Sequence, residues 1–327
     1  MVELSLRWHL AQIGEPKSTA GMRIPGDFQS RPPSGRLRDL MKAMRSPKPE
    51  QWTKTNQGVF SNKDWTEECQ GVTHDQFYWY VSSNHAGKQR VYRLSPDGDV
   101  VDHVKLAGNG SEHLGHIDYH DGRIYCAMED PADPPKIVVI DTPPFTGWRS
   151  VALVGESGGA PPQTRCAWCA MNPWNGLLYS WNGTRSKHAD RLIAYRLDSD
   201  GARFVHVKEA DIKLPEPLLF VQGAVFSKNG HVLLARNAPA SLEASLLGDT
   251  SDIRCYSVLN GTYFGRLVIP KGSGWPDLEE VEGLTIWEGR EFDGVTTHVH
   301  LILLDNDIHN DDDVYFKHYH VPLSDDL

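Results

Sequence analysis

Three residues of this chain share a placement that chemistry could use. Gln70, Gln222 and Glu282 each stand immediately before a glycine at the opening of an apolar segment. No turn requires an oxygen-bearing side chain there, so the three read as groups aimed at a common place. A second set closes the next apolar segment of each repeat: Asn84, Glu129-Asp130, Asn182, Asn237 and Asp305-Asn306-Asp307. If Glu67, Glu68, Glu129, Glu280 and Glu282 converge, like charges in a partly desolvated site repel, and a proton or a cation must relieve them. Mixed carboxylate and amide oxygens with few cysteines suit a hard cation. The donor set therefore predicts Ca²⁺ held by some of Gln70, Glu129, Asn182, Gln222, Asn237 and Glu282. The strand-end Asn and Asp residues also serve as ordinary turn formers, which is the alternative for that set.

Histidines number 15. His113 and His116 flank Gly115 at the start of an apolar segment and, with His74 and His85 near the same end, are candidate general bases or metal ligands. His298 and His300, like His318 and His320, alternate along two segments and form either a cross-strand ladder or a zinc site. Three other motifs are set aside. Gly155-Glu-Ser-Gly-Gly159 has the nucleophile-elbow spacing, but Ala-Pro-Pro follows where a helix is required. Cys166 and Cys169 have zinc-like spacing without a second pair. The acidic run at 305–313 lacks the glycine and terminal Glu of an EF-hand loop.

The elements that must position these groups are short strands. From residue 66 onward a unit of four strands recurs five times, its first halves opening near residues 68, 113, 166, 220 and 280. The register is internally consistent: the turn glycines Gly122 and Gly230 each follow a strand glycine, Gly115 and Gly223, by seven residues. In the third copy Cys169 takes the glycine slot. Pro-Asp-Gly, Ser-Asp-Gly and Asn-Gly mark the hairpins, because glycine supplies positive φ and Asp or Asn tolerates it. Recurring four-stranded antiparallel units predict an all-β protein, a single β-propeller of five blades, six being the alternative, with a sandwich of unrelated hairpins as the competing reading. The last copy is one strand short, and alternation of Leu6, Trp8 and Leu10 with polar residues predicts that residues 1–13 supply the closing strand. Residues 14–64 are basic and proline-rich with a short helix near 36–45, and read as a cap or lid; residues 65–327 form the propeller.

Composition bounds the function. The chain has 327 residues and a net charge of −10, which lacks the clustered basic face that duplex nucleic acid requires. No stretch approaches the roughly 18 apolar residues of a spanning helix, and no basic-then-apolar leader opens the chain. A soluble, cytoplasmic protein is expected. Five cysteines, an odd and sparse set, predict buried thiols and not a disulfide framework. The Asn-Gly-Ser/Thr sequons at Asn109, Asn182 and Asn260 read as turns first.

The repeat, with Gln-Gly or Glu-Gly opening first strands and Asp305-Asn306 closing the last second strand, resembles the calcium-dependent propeller hydrolases of the gluconolactonase, paraoxonase and strictosidine-synthase-like group. The resemblance covers residues 66–321 at the level of architecture. It implies a calcium at the axis that polarises a lactone or ester: Glu282 matches the Glu-Gly element, and Gln70 and Gln222 stand where Glu or Asn is expected. Leu114 and Trp168 replace expected ligands, and the group has six blades. The expected function is thus a metal-dependent hydrolase of a small ester, lactone or sugar-derived substrate, with His113 or His116 activating water. The alternatives are a metal-free glycoside hydrolase or lyase using Glu129 and Glu282, and a non-enzymatic binding propeller.

Overall fold

A computed structural model gives the architecture. It describes residues 53–322 apart from short internal stretches, the longest of which are 239–249, 270–278, 288–295 and 306–311. The expected closing strand at residues 1–13 and the helix near 36–45 lie outside the described residues.

The described chain opens on β1 (Thr53–Phe60) and continues through antiparallel meanders. The first is β2 (Cys69–His74), β3 (Trp79–Ser83), β4 (Arg90–Leu94) and β5 (Val100–Lys105); the second is β6 (Leu114–His120), β7 (Arg123–Met128), β8 (Lys136–Asp141) and β9 (Gly147–Val154). Next come β10 (Ala170–Asn172), β11 (Leu177–Trp181), β12 (Ala189–Leu197) and β13 (Arg203–His206), with β14 (Ile212–Leu218) also on β12. A further meander is β15 (Val221–Phe226), β16 (His231–Arg236), β17 (Asp252–Ser257) and β18 (Tyr263–Val268). The last is β19 (Glu279–Ile286), β20 (Thr296–Asp305) and β21 (Asp313–Pro322), and β1 pairs along the edge of β21.

Local chemistry explains the hairpins. Gly122, Gly176, Gly201 and Gly230 all sit at φ between 66° and 82° in the turns where the sequence placed them. Between successive meanders lie apolar clusters, such as Tyr125, Val139, Cys169, Tyr195 and Phe204 between the second and third. Another cluster, including Cys69, Val72, Trp79, Ile302 and Phe316, joins the first meander to the last sheet.

The all-β class holds, but the expectation of five or six separate four-stranded propeller blades around an open axis is corrected. Hydrogen bonding divides the strands into four sheets, three of four strands and one of nine. The nine-stranded sheet arises because β9 and β13 pair in parallel over Ala152–Val154 and Arg203–Val205. Each is otherwise an edge strand whose unpaired N–H and C=O groups need partners, and each satisfies the other. The open axis is absent for a second reason: where β2, β6, β15 and β19 meet, the His116 side chain fills the space. A Cβ on Gly223 or Gly283 would lie 2.9 Å from His116 Cδ2, and one on Gly71 would lie 2.7 Å from His116 Cα. Glycine recurs at this slot because the backbones approach too closely for any side chain but one.

Candidate functional site

The residue before three of the slot glycines, Gly71, Gly223 and Gly283, is the extra residue of a β-bulge. Register shifts separate Cys69 from Gly71, Val221 from Gly223 and Val281 from Gly283, so Gln70, Gln222 and Glu282 have no partner in the ladder. A bulge re-aims one side chain out of the pleat, which is the physical content of the Gln-Gly and Glu-Gly pattern. Two of these bulges are entered through a strained residue two positions earlier, Glu68 at φ 50° and Phe220 at φ 55°.

The bulged side chains form two short hydrogen-bonded groups. Gln222 Nε2 donates to Glu282 Oε2 at 3.0 Å, both being almost fully buried. His113 Nε2 lies 3.1 Å from Gln70 Oε1 and 3.2 Å from Glu129 Oε2. The His113 backbone N–H donates to Asp130 Oδ2 at 3.0 Å, and its carbonyl accepts from the Glu129 N–H, so strand starts and strand ends hold one another. Burial alone would lower the His113 pKa. The hydrogen bond and charge of Glu129, together with the charges of Asp130 and Glu68, outweigh burial and raise it. Beside this pair a narrow cleft of about 10 Å³ is lined by Glu129, Arg165, Trp181, Thr184, Phe220 and Gln222.

Other candidates serve the fold. His116 is buried with Nδ1 3.3 Å from the Cys169 carbonyl and Nε2 2.9 Å from the Leu284 carbonyl, and burial pushes its pKa down to about 4. It is a plug between backbones, and its expected role in activating water at the mouth is corrected. Asn84 clips β6: its Nδ2 donates to the Leu114 carbonyl at 2.9 Å and its Oδ1 accepts the Leu114 N–H at 2.8 Å. Asn182 Nδ2 donates to the Pro162 carbonyl, and Asn237 Oδ1 accepts from Ser251 Oγ. Glu67 faces His85 at 3.4 Å and Asp312. Both ring nitrogens of His74 face backbone carbonyls, of Asp75 and Ile286. Asn306 and Asp307 lie outside the described residues.

Among the described residues no group of three or more His, Cys, Asp or Glu side chains is arranged to hold a metal ion. The expected calcium set is thus split: Gln222 pairs with Glu282, Gln70 and Glu129 meet on His113, and the amides of Asn182 and Asn237 are turned to local partners. The metal-dependent hydrolase reading, with the likeness to lactonase propellers that implied it, is accordingly corrected. His300 and His318 are direct cross-strand partners with rings 4.3 Å apart, a ladder within an aromatic cluster of Trp79, Trp287 and Phe316. All five cysteines are buried and free. Glu156–Gly158 forms one 3-10 turn with no α-helix after it, as the refusal of the nucleophile elbow requires.

The sequence did not single out Arg165 or Phe220. Each stands a few residues before a first strand, where no periodic signal operates. No protein-family profile matches the chain, and no curated protein matches it. Among solved structures, a DUF4623 family protein from Bacteroides eggerthii is similar at 11% identity over 86% of this chain and 78% of that one, with a TM-score of 0.44. Among the described residues no helix is long and apolar enough to cross a membrane.

Proposed function

We propose that this protein is a metal-independent acid–base enzyme acting on a small hydrogen-bonding organic molecule, with His113 and Glu129 as the proton-transfer pair. One observation carries the reading: His113 Nε2 is pinched between Gln70 Oε1 at 3.1 Å and Glu129 Oε2 at 3.2 Å at the edge of a cleft. The hydrogen bond and charge of Glu129 favour the charged form of the imidazole, which casts His113 as the acid and Glu129 as the base. The bulged Gln222 and Glu282 offer fixed polar atoms, and Arg165 lines the cleft beside Glu129. A cavity of about 10 Å³ admits a group the size of one water, which favours a substrate that inserts a hydroxyl or amino group.

The test is an NMR titration of the His113 ring in the wild type and in Glu129→Gln, run with saturation-transfer screening of small polyols and amines. The wild-type pKa is expected above the ordinary histidine value of about 6.5 and falls in the variant. Hits are expected to lose their transfer signal in Gln222→Ala and in His113→Phe, and to keep it in EDTA. An unchanged His113 pKa in Glu129→Gln, or hits that bind equally well to both cleft variants, would refute the assignment.

A further inference from the structure

On one face of β17 three guanidiniums gather around a single buried carboxylate. Asp252, fully buried, accepts from three guanidiniums at once. Arg236 donates through Nε and Nη2 at 3.1 Å, Arg254 Nε lies 3.1 and 3.2 Å from its two oxygens, and Arg266 Nη1 reaches Oδ2 at 3.4 Å. One carboxylate has about four lone-pair sites, so three guanidiniums saturate it. Arg254 has a second partner in Glu216, at 2.5 Å. Among the described residues the cluster holds three positive charges against two negative ones, in a chain whose net charge is −10.

The strand register makes the excess deliberate. Arg254 and Arg266 are direct cross-strand partners, a like-charge pair that would destabilise the ladder without the Asp252 carboxylate that both of them reach. Next to them Tyr256 is directly opposite Tyr263, the rings 5.4 Å apart. Tyr263 and Arg266 are three apart and would point to opposite faces of a regular strand. A bulge opposite Cys255 and Tyr256 shifts the register by one residue, and Gly265 within it adopts φ 152°, which side chains rarely take. The bulge therefore puts Arg254, Arg266, Tyr256 and Tyr263 on one face. Tyr256 Oη is buried there beside the Arg254 guanidinium, while Arg266 and Tyr263 are 45% and 40% exposed.

We infer that this face of β17 and β18 is a binding site for a phosphate group, bridged by Arg254 and Arg266, with the Tyr256 hydroxyl as a further donor and the exposed Tyr263 ring beside it. Guanidinium forks match phosphate oxygens in pairs, and an anion on the exposed side of the two would balance the positive charge that Asp252 and Glu216 leave over. A free phosphate and a phosphate monoester share this chemistry, and Tyr263 distinguishes them because only an ester carries an organic part to lie on the ring.

The experiment is calorimetric titration of the whole protein with inorganic phosphate and with phenyl phosphate, each against chloride at matched ionic strength. Both are expected to bind, and Arg266→Gln, a change at a half-exposed position, is expected to weaken both by roughly tenfold. Phenyl phosphate binding more tightly than phosphate, with the advantage lost in Tyr263→Ala, assigns a monoester; equal binding assigns the free ion. Heat no greater than that of chloride, or an Arg266→Gln variant that binds as the wild type does, would overturn the site. Circular dichroism and a melting curve establish that each variant is folded, so loss of binding reports the site alone.

Discussion

His231 offers a direct measure of what the fold suppresses. Its side chain is buried, its ring edge meets Phe264 at 5.1 Å, and neither ring nitrogen has a hydrogen-bond partner. Burial alone lowers its pKa to about 4. A histidine whose folded pKa lies below its unfolded value costs stability on acidification, because the unfolded chain takes up the proton first. The loss begins as pH falls through about 6.5 and is complete below the folded value. Between pH 7 and pH 5 the linkage relation gives a loss of about 2 kcal/mol from this one group. The wild-type curve alone cannot isolate it. His116 contributes a loss of similar sign, since its pKa is also held at about 4, while buried Asp118, pushed up to about 7, works in the opposite direction. A carboxyl with a raised pKa contributes stability that is full at low pH and is lost as pH rises through the folded value. The comparison is therefore with His231→Phe, which keeps a ring against Phe264 and cannot titrate. Its packing cost does not depend on pH and cancels. Urea unfolding followed by tryptophan fluorescence at pH 7 and pH 5 should show the wild type losing about 2 kcal/mol more than the variant over that interval. Parallel losses in the two proteins would show that His231 finds a proton partner in the folded state and would refute the reasoning.

Two further outcomes follow from backbone geometry. Gly115→Ala would put a Cβ 1.9 Å from the Ala167 carbonyl oxygen, and Gly223→Ala one 2.9 Å from His116 Cδ2. The first runs into a backbone carbonyl and is expected to abolish folding, whereas the second presses on the imidazole, with Gly283 Cα and Leu284 Cδ2 at 3.2 Å, and should cost about 1–3 kcal/mol, as calorimetric melting would show. Asn84→Leu strands both the N–H and the C=O of Leu114 inside the protein; a loss of roughly 2–4 kcal/mol is expected in urea unfolding, and a loss below about 1 would show that water replaces the amide.

What the sequence made legible was local. Turn glycines, hairpin breaks and the order of strands β2 to β21 were readable because glycine at positive φ and apolar runs are properties of a few adjacent residues. The parallel pairing of β9 with β13 was not, since it depends on which edges meet and leaves no mark in either strand's pattern. The strand on β21 was missed for a related reason: Thr53–Phe60 reads TKTNQGVF, without the alternation that drew attention to residues 5–13. Of the site, the sequence reads Gln70, Gln222 and Glu282 as ligands of a shared ion, whereas the residue-before-glycine pattern at these three positions encodes a bulge. His116 was misjudged because a histidine beside glycine looks exposed. Glycine at the same slot in four strands signals backbones in contact, and one side chain must fill what they leave.

The pairing of β1 with β21 joins residues such as Gly58 and Phe316, roughly 260 positions apart. On a ribosome adding about 5–20 residues per second, β1 waits roughly 10–50 s after its own synthesis before its partner exists. During that interval β1 and its half-exposed Phe60 must be kept from other unpaired edges. Closing so long a loop costs entropy that only non-local contacts offset, so the final clasp is expected to be the slow step of folding. Once made, it holds both ends of the described chain in one sheet with Thr53 opposite His320, so pulling them apart would load that end of the ladder first and open its seven cross-strand pairings one after another.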